Sequence, residues 1–417
     1  MNTKRHNVFA RQKNIFLLSS AFFLLLISQN YFDYTYPYLF ANKDYSPGVV
    51  GNKLRSLSQG LFNVVGIGAV RLLGYKASFV FGNLLVLPGI FIGCWLNHLA
   101  ANGGNSGKIG AIPGKSLVFQ LYGYSMIQGV GQSIAWIAQG CYVDGIVDKK
   151  FIPEAYSIFS TFYNLSYPMG TLVMKVFKQG KVQNADWALI VFALAAVAGT
   201  LLFLMLKDLC ISNVKGKLFP FTSETLKASL VGFGDILMAT VFVGVIFGFI
   251  SSSFESPLER VKDAEAQNNF FLCYGLAATF ASVLGSFFLT EGSIGAFSGV
   301  SMCLHAVSIV LYRICLVNED LNKETLIILS YTYSVCYALA SSTFVTIVFA
   351  LLSLRYSDDI SFAMWMFQVL SCVATACATE KFRNWPVIFG SFGICGYISI
   401  FWSLFKVKKL AERKEIC

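Results

Sequence analysis

The sequence predicts an all-α polytopic membrane protein, with twelve transmembrane helices arranged as two six-helix halves. Three observations predict it. The 417-residue chain is 56% hydrophobic and only 13% charged, with a mean hydropathy of +0.63. A soluble globular chain is nearer ~25% charged. Apolar runs of about 20 residues, enough to cross a ~30 Å hydrocarbon core, recur along its whole length. Basic tails and a basic central stretch divide those runs six from six.

The elements follow in order. Span 1 (14–33) comes after a basic tail and has no small-residue cleavage site behind it. It therefore reads as a retained membrane helix. Spans 2 (54–73) and 3 (76–98) are joined by a tight turn at Gly74. A Gly/Asn/Ser-rich loop, 97–116, reads as flexible and leads into span 4 (117–144). Spans 5 (153–177) and 6 (185–206) complete a first half, 1–206. A cytoplasmic linker is expected at 207–229. The second half, 230–417, holds spans at 230–253, 269–290, 292–315, 325–353, 360–380 and 385–405, then a short basic tail.

Lysines and arginines set the orientation. They concentrate in the first tail (Lys4, Arg5, Arg11, Lys13), the linker (Lys207, Lys215, Lys217, Lys227) and the last tail (Lys406, Lys408, Lys409, Arg413, Lys414). Both termini are therefore expected to be cytoplasmic, at the plasma membrane or an endomembrane. The net charge of +10 reads as anchoring beside anionic lipid. Basic residues clustered on a soluble surface are absent, so no nucleic-acid partner is expected. Six spans plus six, with inside termini and a basic linker, is the outline of a major facilitator transporter. Such proteins bind their solute near the midplane, between two halves.

Span 4 carries the most informative pattern. From Leu117 to Val143 it has no charged residue, yet it holds Gln128, Gln132 and Gln139. At about 100° per residue these fall within roughly 40° of one another, with Trp136 and Tyr142 flanking. An amide without a partner in lipid costs several kcal/mol, so the stripe is expected to face a polar interior. The plainer reading is interhelical hydrogen bonding, at ~0.6 kcal/mol each. Other spans show similar faces: Tyr156, Ser160, Asn164, Tyr167 and Thr171 on span 5, and Ser330, Ser334, Tyr337 and Ser341 on span 10, with Tyr333 nearby. Span 11 has Gln368, Cys372, Thr375 and Thr379, and span 1 ends in Gln29 and Asn30, with Asp33 beyond. The candidate ligand-binding residues are accordingly Gln29, Asn30, Gln128, Gln132, Trp136, Gln139, Asn164, Tyr167, Tyr333, Tyr337 and Gln368.

Charge inside the spans is scarce. Asp33, Asp235, Glu255, Glu291 and Arg313 sit near span ends, and His305 on span 9 reads as a packing histidine. Proton coupling and a strongly anionic solute are both disfavoured on this reading, because neither a titratable group nor a cation is placed in the cavity. The eleven cysteines show no disulfide or zinc spacing, and no metal or cofactor is expected. Cys210 is a juxtamembrane palmitoylation candidate. The sequon at Asn164 lies inside a span, so no glycan is expected there. Gly110 to Ser116 mimics a phosphate loop but has one residue too few between its glycines. No nucleophile–base pair stands out, so the chain is not expected to be an enzyme.

Gly68-Ala69-Val70-Arg71-Leu72-Leu73-Gly74-Tyr75-Lys76 looks like the 2–3 loop signature of major facilitators without its acidic member. In that signature glycine permits close packing and basic residues clasp neighbouring helices. Within that superfamily the chain resembles the uncoordinated-ninety-three (UNC-ninety-three) family of ion-channel regulatory proteins. The likeness is carried by Gly129 to Tyr142 (GVGQSIAWIAQGCY), by Leu73-Gly74-Tyr75-Lys76, by Phe159 to Gly170 and by the Gln29-Asn30 step. It covers about residues 54–175, and only loosely Val241 to Phe254 and Tyr274 to Phe288. The resemblance implies a twelve-span protein that acts either as a transporter or as a partner of other membrane proteins. Two functions follow as expectations. The first is alternating-access transport of a small neutral or zwitterionic polar solute by a monomer in the lipid bilayer. The alternative is a non-transporting regulatory subunit or trafficking chaperone of another membrane protein, a channel or a receptor.

Overall fold

A computed structural model describes residues 13–30, 47–103, 115–178, 185–207, 233–252, 254, 256–261, 264–356, 360–379 and 384–416. Among these residues helix follows helix, without a strand. They are α1 (13–30), α2 (Pro47–Leu61, resuming as Asn63–Leu73), α3 (Tyr75–Gly103), α4 (Lys115–Ile146), α5 (Ile152–Lys178) and α6 (Ala185–Phe203). The series continues with α7 (Leu237–Ser252), α8 (Ala264–Phe288), α9 (Ile294–Val317), α10 (Lys323–Arg355), α11 (Ile360–Ala378) and α12 (Trp385–Ile416). Each expected span meets a helix. Among the described residues, six helices are long and apolar enough to cross a membrane by themselves, and seven if bent α2 counts as one span. Helices α4 and α5 fall short of that measure because their polar faces lower their hydropathy. The expected linker 207–229 lies outside the described residues apart from Lys207, as do Asp33, Cys210, Glu255 and most of the phosphate-loop mimic.

Helices α7 and α12 depart from the expected 230 and 405, starting at Leu237 and ending at Ile416, and two further boundaries differ. Helix α3 runs on to Gly103, into the stretch expected to be loop. Helix α2 starts at Pro47, seven residues before the expected Leu54. Proline suits a first helical position, where its missing N–H is not needed. The two parts of α2 meet at a 53° bend. Its cause is local. Asn63 Nδ2 donates to the Gly60 carbonyl at 3.3 Å, and Ser133 Oγ of α4 donates to the Phe62 carbonyl at 3.3 Å. Both carbonyls belong to the helical ladder, and side chains that compete for such groups kink helices. Gly74 then takes φ 82°, a left-handed value that glycine adopts at little cost, and turns the chain into α3.

Helix packing relies on bare backbone. A Cβ on Gly131 of α4 would collide with the Gly82 carbonyl of α3, and one on Gly82 would lie 2.7 Å from the Gly131 carbonyl. Small residues of this kind let helices approach closely in lipid, where apolar burial no longer drives association. Phe22 of α1 is a hub of the first half, meeting Phe79, Trp136, Phe159 and Phe203 within 5.2–6.0 Å. Phe249 of α7 plays that part in the second, against Tyr312, Tyr337, Trp385 and Phe389.

The helix ends define two faces. On one, the Asn14 side chain accepts from the Lys207 backbone N–H at 3.3 Å, and Tyr142 donates to the Lys207 carbonyl. Asp235, just before α7, there holds Arg355 of α10, Lys406 of α12 at 2.8 Å and the Trp402 indole. This terminal face gathers both ends of the described chain. On the far face, Lys175 donates to Asn269, and Arg260 caps the carbonyls of Cys315, Asn318 and Glu319 after α9.

Candidate functional site

The seam between the two helix sets is formed where α5 packs on α8 and α10, and where α11 packs on α2 and α4. A cavity of about 1180 Å³, counting the space at its mouth, lies in this seam.

Its lining comes from α1, α2, α4, α5, α7, α10 and α11. Helix α1 supplies Gln29 and Asn30; Asn30 Nδ2 donates to Ser166 Oγ of α5 at 2.6 Å and is fixed in place. Helix α2 supplies Asn52, Arg55, Ser56 and Gln59, which share one face at helical spacing. Gln59 Nε2 crosses the seam to Gln368 Oε1 of α11 at 2.9 Å. Helix α4 supplies Gln132 and Trp136. The Trp136 ring is set by Phe22, Phe159 and Tyr163, with centroids 5.3–5.9 Å away. On α5 the Tyr163 and Tyr167 hydroxyls meet at 2.7 Å. Helices α7 and α10 contribute mainly Phe247, Val345 and Phe349, and α11 adds the polar run from Gln368 to Thr379.

At the floor of the cavity, toward the terminal face, the two halves are pinned together. Ser160 accepts from Thr346 at 2.9 Å, and Tyr156 pairs with Ser353 at 2.9 Å. The Tyr156 ring stacks on Phe349 at 5.5 Å, and Phe349 meets Phe367 at 4.7 Å. Gly140 of α4 leaves room for Met364 of α11, whose side chain would lie 2.6 Å from an added Cβ. Farther out, Arg71 of the 2–3 loop signature reaches Ser361 of α11 at 3.4 Å. A basic residue thus clasps a neighbouring helix, as the signature implies.

Six of the eleven residues singled out in the sequence line the cavity: Gln29, Asn30, Gln132, Trp136, Tyr167 and Gln368. The other five lie elsewhere. Gln128 packs against Gly89 of α3. Gln139 is buried, and neither of its amide atoms finds a hydrogen-bond partner among the described residues. Asn164 bridges the seam, donating to Ser282 of α8 and Ser342 of α10 at 2.9 and 2.8 Å. Tyr333 sits among Phe254, Phe270 and Tyr312, and Tyr337 donates to the Ile246 carbonyl. Both tyrosines thus face the interior of the second half. His305 is a packing histidine, held by Tyr397 at 2.6 Å and Ser341 at 3.0 Å away from the cavity.

Arg55 is the residue the sequence reading missed. With span 2 started at 54, Arg55 falls at the edge of the expected span. With α2 started at Pro47, it lies two turns inside the helix and on the cavity wall. The expectation that no cation lines the cavity is overturned. The signal was present in Pro47 as a helix start, and in the Asn52, Arg55, Ser56, Gln59 spacing.

No family model matches the sequence, and no curated protein does. The fold itself has clear counterparts among solved transporters of major facilitator type. The structure is similar to the major facilitator transporter FucP in its outward conformation, with a TM-score of 0.65 and 14% identity, covering 95% of this chain and 99% of that one. A single-site variant of the E. coli fucose:proton symporter FucP gives 0.64 and 15%, with the same coverage. The human organic anion transporter MFSD10 (TETRAN) gives 0.64 and 12%, covering 95% and 98%.

Proposed function

We propose that this chain is a membrane transporter that moves a small polar solute by alternating access. One observation carries the reading. The seam between the halves holds a cavity lined by amides, hydroxyls and aromatic rings, pinned shut on its terminal-face side and placed where a rocking motion would expose it to each side in turn. Gln132 and Gln368 supply hydrogen bonds to the solute, and Trp136 supplies a rigid ring to stack on. The halves that rock are 1–206 and 230–417, joined by 207–229. The distribution of lysine and arginine supports cytoplasmic termini. The cavity then lies toward the outer side. The likeness at Gly129 to Tyr142 supports a place beside the UNC-ninety-three proteins, and we take the working unit to be a monomer. The expected restriction to neutral or zwitterionic solutes rested on an uncharged cavity, and Arg55 removes that ground.

The test is uptake in cells expressing the chain, against a broad panel of labelled polar solutes. At least one solute is expected to accumulate, and Gln132→Ala or Trp136→Ala is expected to cut that uptake about 10-fold or more, the worth of one lost well-placed contact. Normal surface expression with no uptake by the parent chain would favour the regulatory alternative.

A further inference from the structure

Arg55 is the only charged side chain among the described residues that line the cavity. It sits between Asn52 and Gln59 on one face of α2, so two amide-bearing residues lie about one helical turn from it on either side. A guanidinium stays protonated throughout the physiological range and offers five N–H donors in a planar fork. It can therefore serve an intramolecular partner and still present a pair of donors to a ligand. Two parallel donors match a carboxylate. Rings and aliphatic side chains make up part of the wall, and a low-dielectric wall strengthens the attraction of one cation for an anion.

The rest of the lining constrains the remainder of the ligand. No aspartate or glutamate is among the described lining residues, so an ammonium on the solute would find no counter-charge there. Helices α4, α5, α7 and α10 contribute rings instead, including Trp136, Phe159, Phe247 and Phe349. These suit an apolar or aromatic body by stacking and burial.

We infer that Arg55, with Asn52 and Gln59, forms an anion subsite, and that the solute is a small organic monoanion: one carboxylate on an apolar or aromatic body. This rests on the transport reading for its meaning, but binding tests it separately. The assay is calorimetric binding of three matched probes, benzoate, benzamide and benzylamine, to the full-length chain in nanodiscs, followed by benzoate flux in proteoliposomes. Benzoate is expected to bind at least ~10-fold tighter than benzamide, and benzylamine least, because a charge-assisted bidentate contact is the stronger kind. Arg55→Gln is expected to bring benzoate binding down to the level of benzamide binding, and Arg55→Lys to keep part of the preference. Equal binding of benzoate and benzamide by the parent chain would overturn the inference, as would binding of none of the three, or an unchanged preference in Arg55→Gln. If Arg55→Gln does not fold, the parent chain's preference and the Arg55→Lys result still decide. Arg55-dependent benzoate binding without flux would leave the subsite standing and count against transport. Flux of a neutral solute that Arg55→Gln does not change would do the reverse.

Discussion

Removing the Tyr156 hydroxyl tests whether the terminal-face closure is a working gate. Tyr156 of α5 and Ser353 of α10 are both buried, and their hydroxyls pair across the seam at 2.9 Å. Tyr156→Phe deletes that one bond and keeps the ring, so the stack on Phe349 survives. An interhelical side-chain hydrogen bond in a membrane protein is worth ~0.6 kcal/mol on average and ~1.7 at most. If the bond forms only when this side is closed, its whole value appears in the closed-to-open ratio. At ~1.4 kcal/mol per decade, the open population should rise about 3-fold, and by no more than about 20-fold. Hydrogen exchange by mass spectrometry on the chain in nanodiscs reads this directly, because amide exchange follows the population of the open form. Exchange should quicken by that factor in the terminal-face ends of α5 and α10, near 152–160 and 349–355. The opposite ends, near 167–178 and 323–334, should not change. An unchanged rate at the terminal face would mean the contact does not hold the gate. Equal acceleration at both ends would mean ordinary loss of stability, and either result refutes the reasoning.

Two further predictions concern the fold. Gly131→Val should lower thermal stability by roughly the 1–3 kcal/mol of an overpacked contact or more, because the Gly82 carbonyl cannot retreat from an added Cβ. Gly68→Ala, with nothing within 4 Å, should be tolerated, and melting curves of the two variants check the contrast. At Asp235, burial works to raise the carboxyl pKa, but the hydrogen bonds and charges of Lys406 and Arg355 outweigh it and hold the value below the ordinary one. A depressed folded-state value means stability that is present above the unfolded pKa and lost as pH falls through the folded one. Melting temperature should therefore drop on acidification below the usual carboxylate range, and Asp235→Asn should flatten that part of the profile while lowering stability at neutral pH. A parent profile already flat there would contradict the assignment.

Much of this was legible in the sequence, and the misses have physical causes. The helices followed from apolar length, because lipid leaves the backbone no other way to satisfy itself. Gln132, Trp136 and Gln368 were found because polar side chains cannot face hydrocarbon cheaply. That same argument could not tell a cavity from a helix–helix contact. Gln128 meets α3, Tyr337 meets the Ile246 carbonyl of α7, and Asn164 spends both amide protons across the seam. All satisfy the rule without lining the cavity. Periodicity gives the phase of a helix but not the identity of the neighbour on each face. Arg55 was missed for a different reason. Hydropathy marks a span by its apolar core, and the first turns of α2 carry Asn52, Lys53 and Arg55, of which Asn52 and Arg55 line the cavity.

The most direct measurement is solute counterflow by the purified full-length chain in proteoliposomes preloaded with members of a polar and organic-anion panel. The account predicts transient, saturable accumulation of at least one labelled solute, abolished when Gln132 and Trp136 are both replaced by alanine in a variant that retains its melting temperature. Monodisperse, folded protein that gives no counterflow with any member of the panel would contradict it.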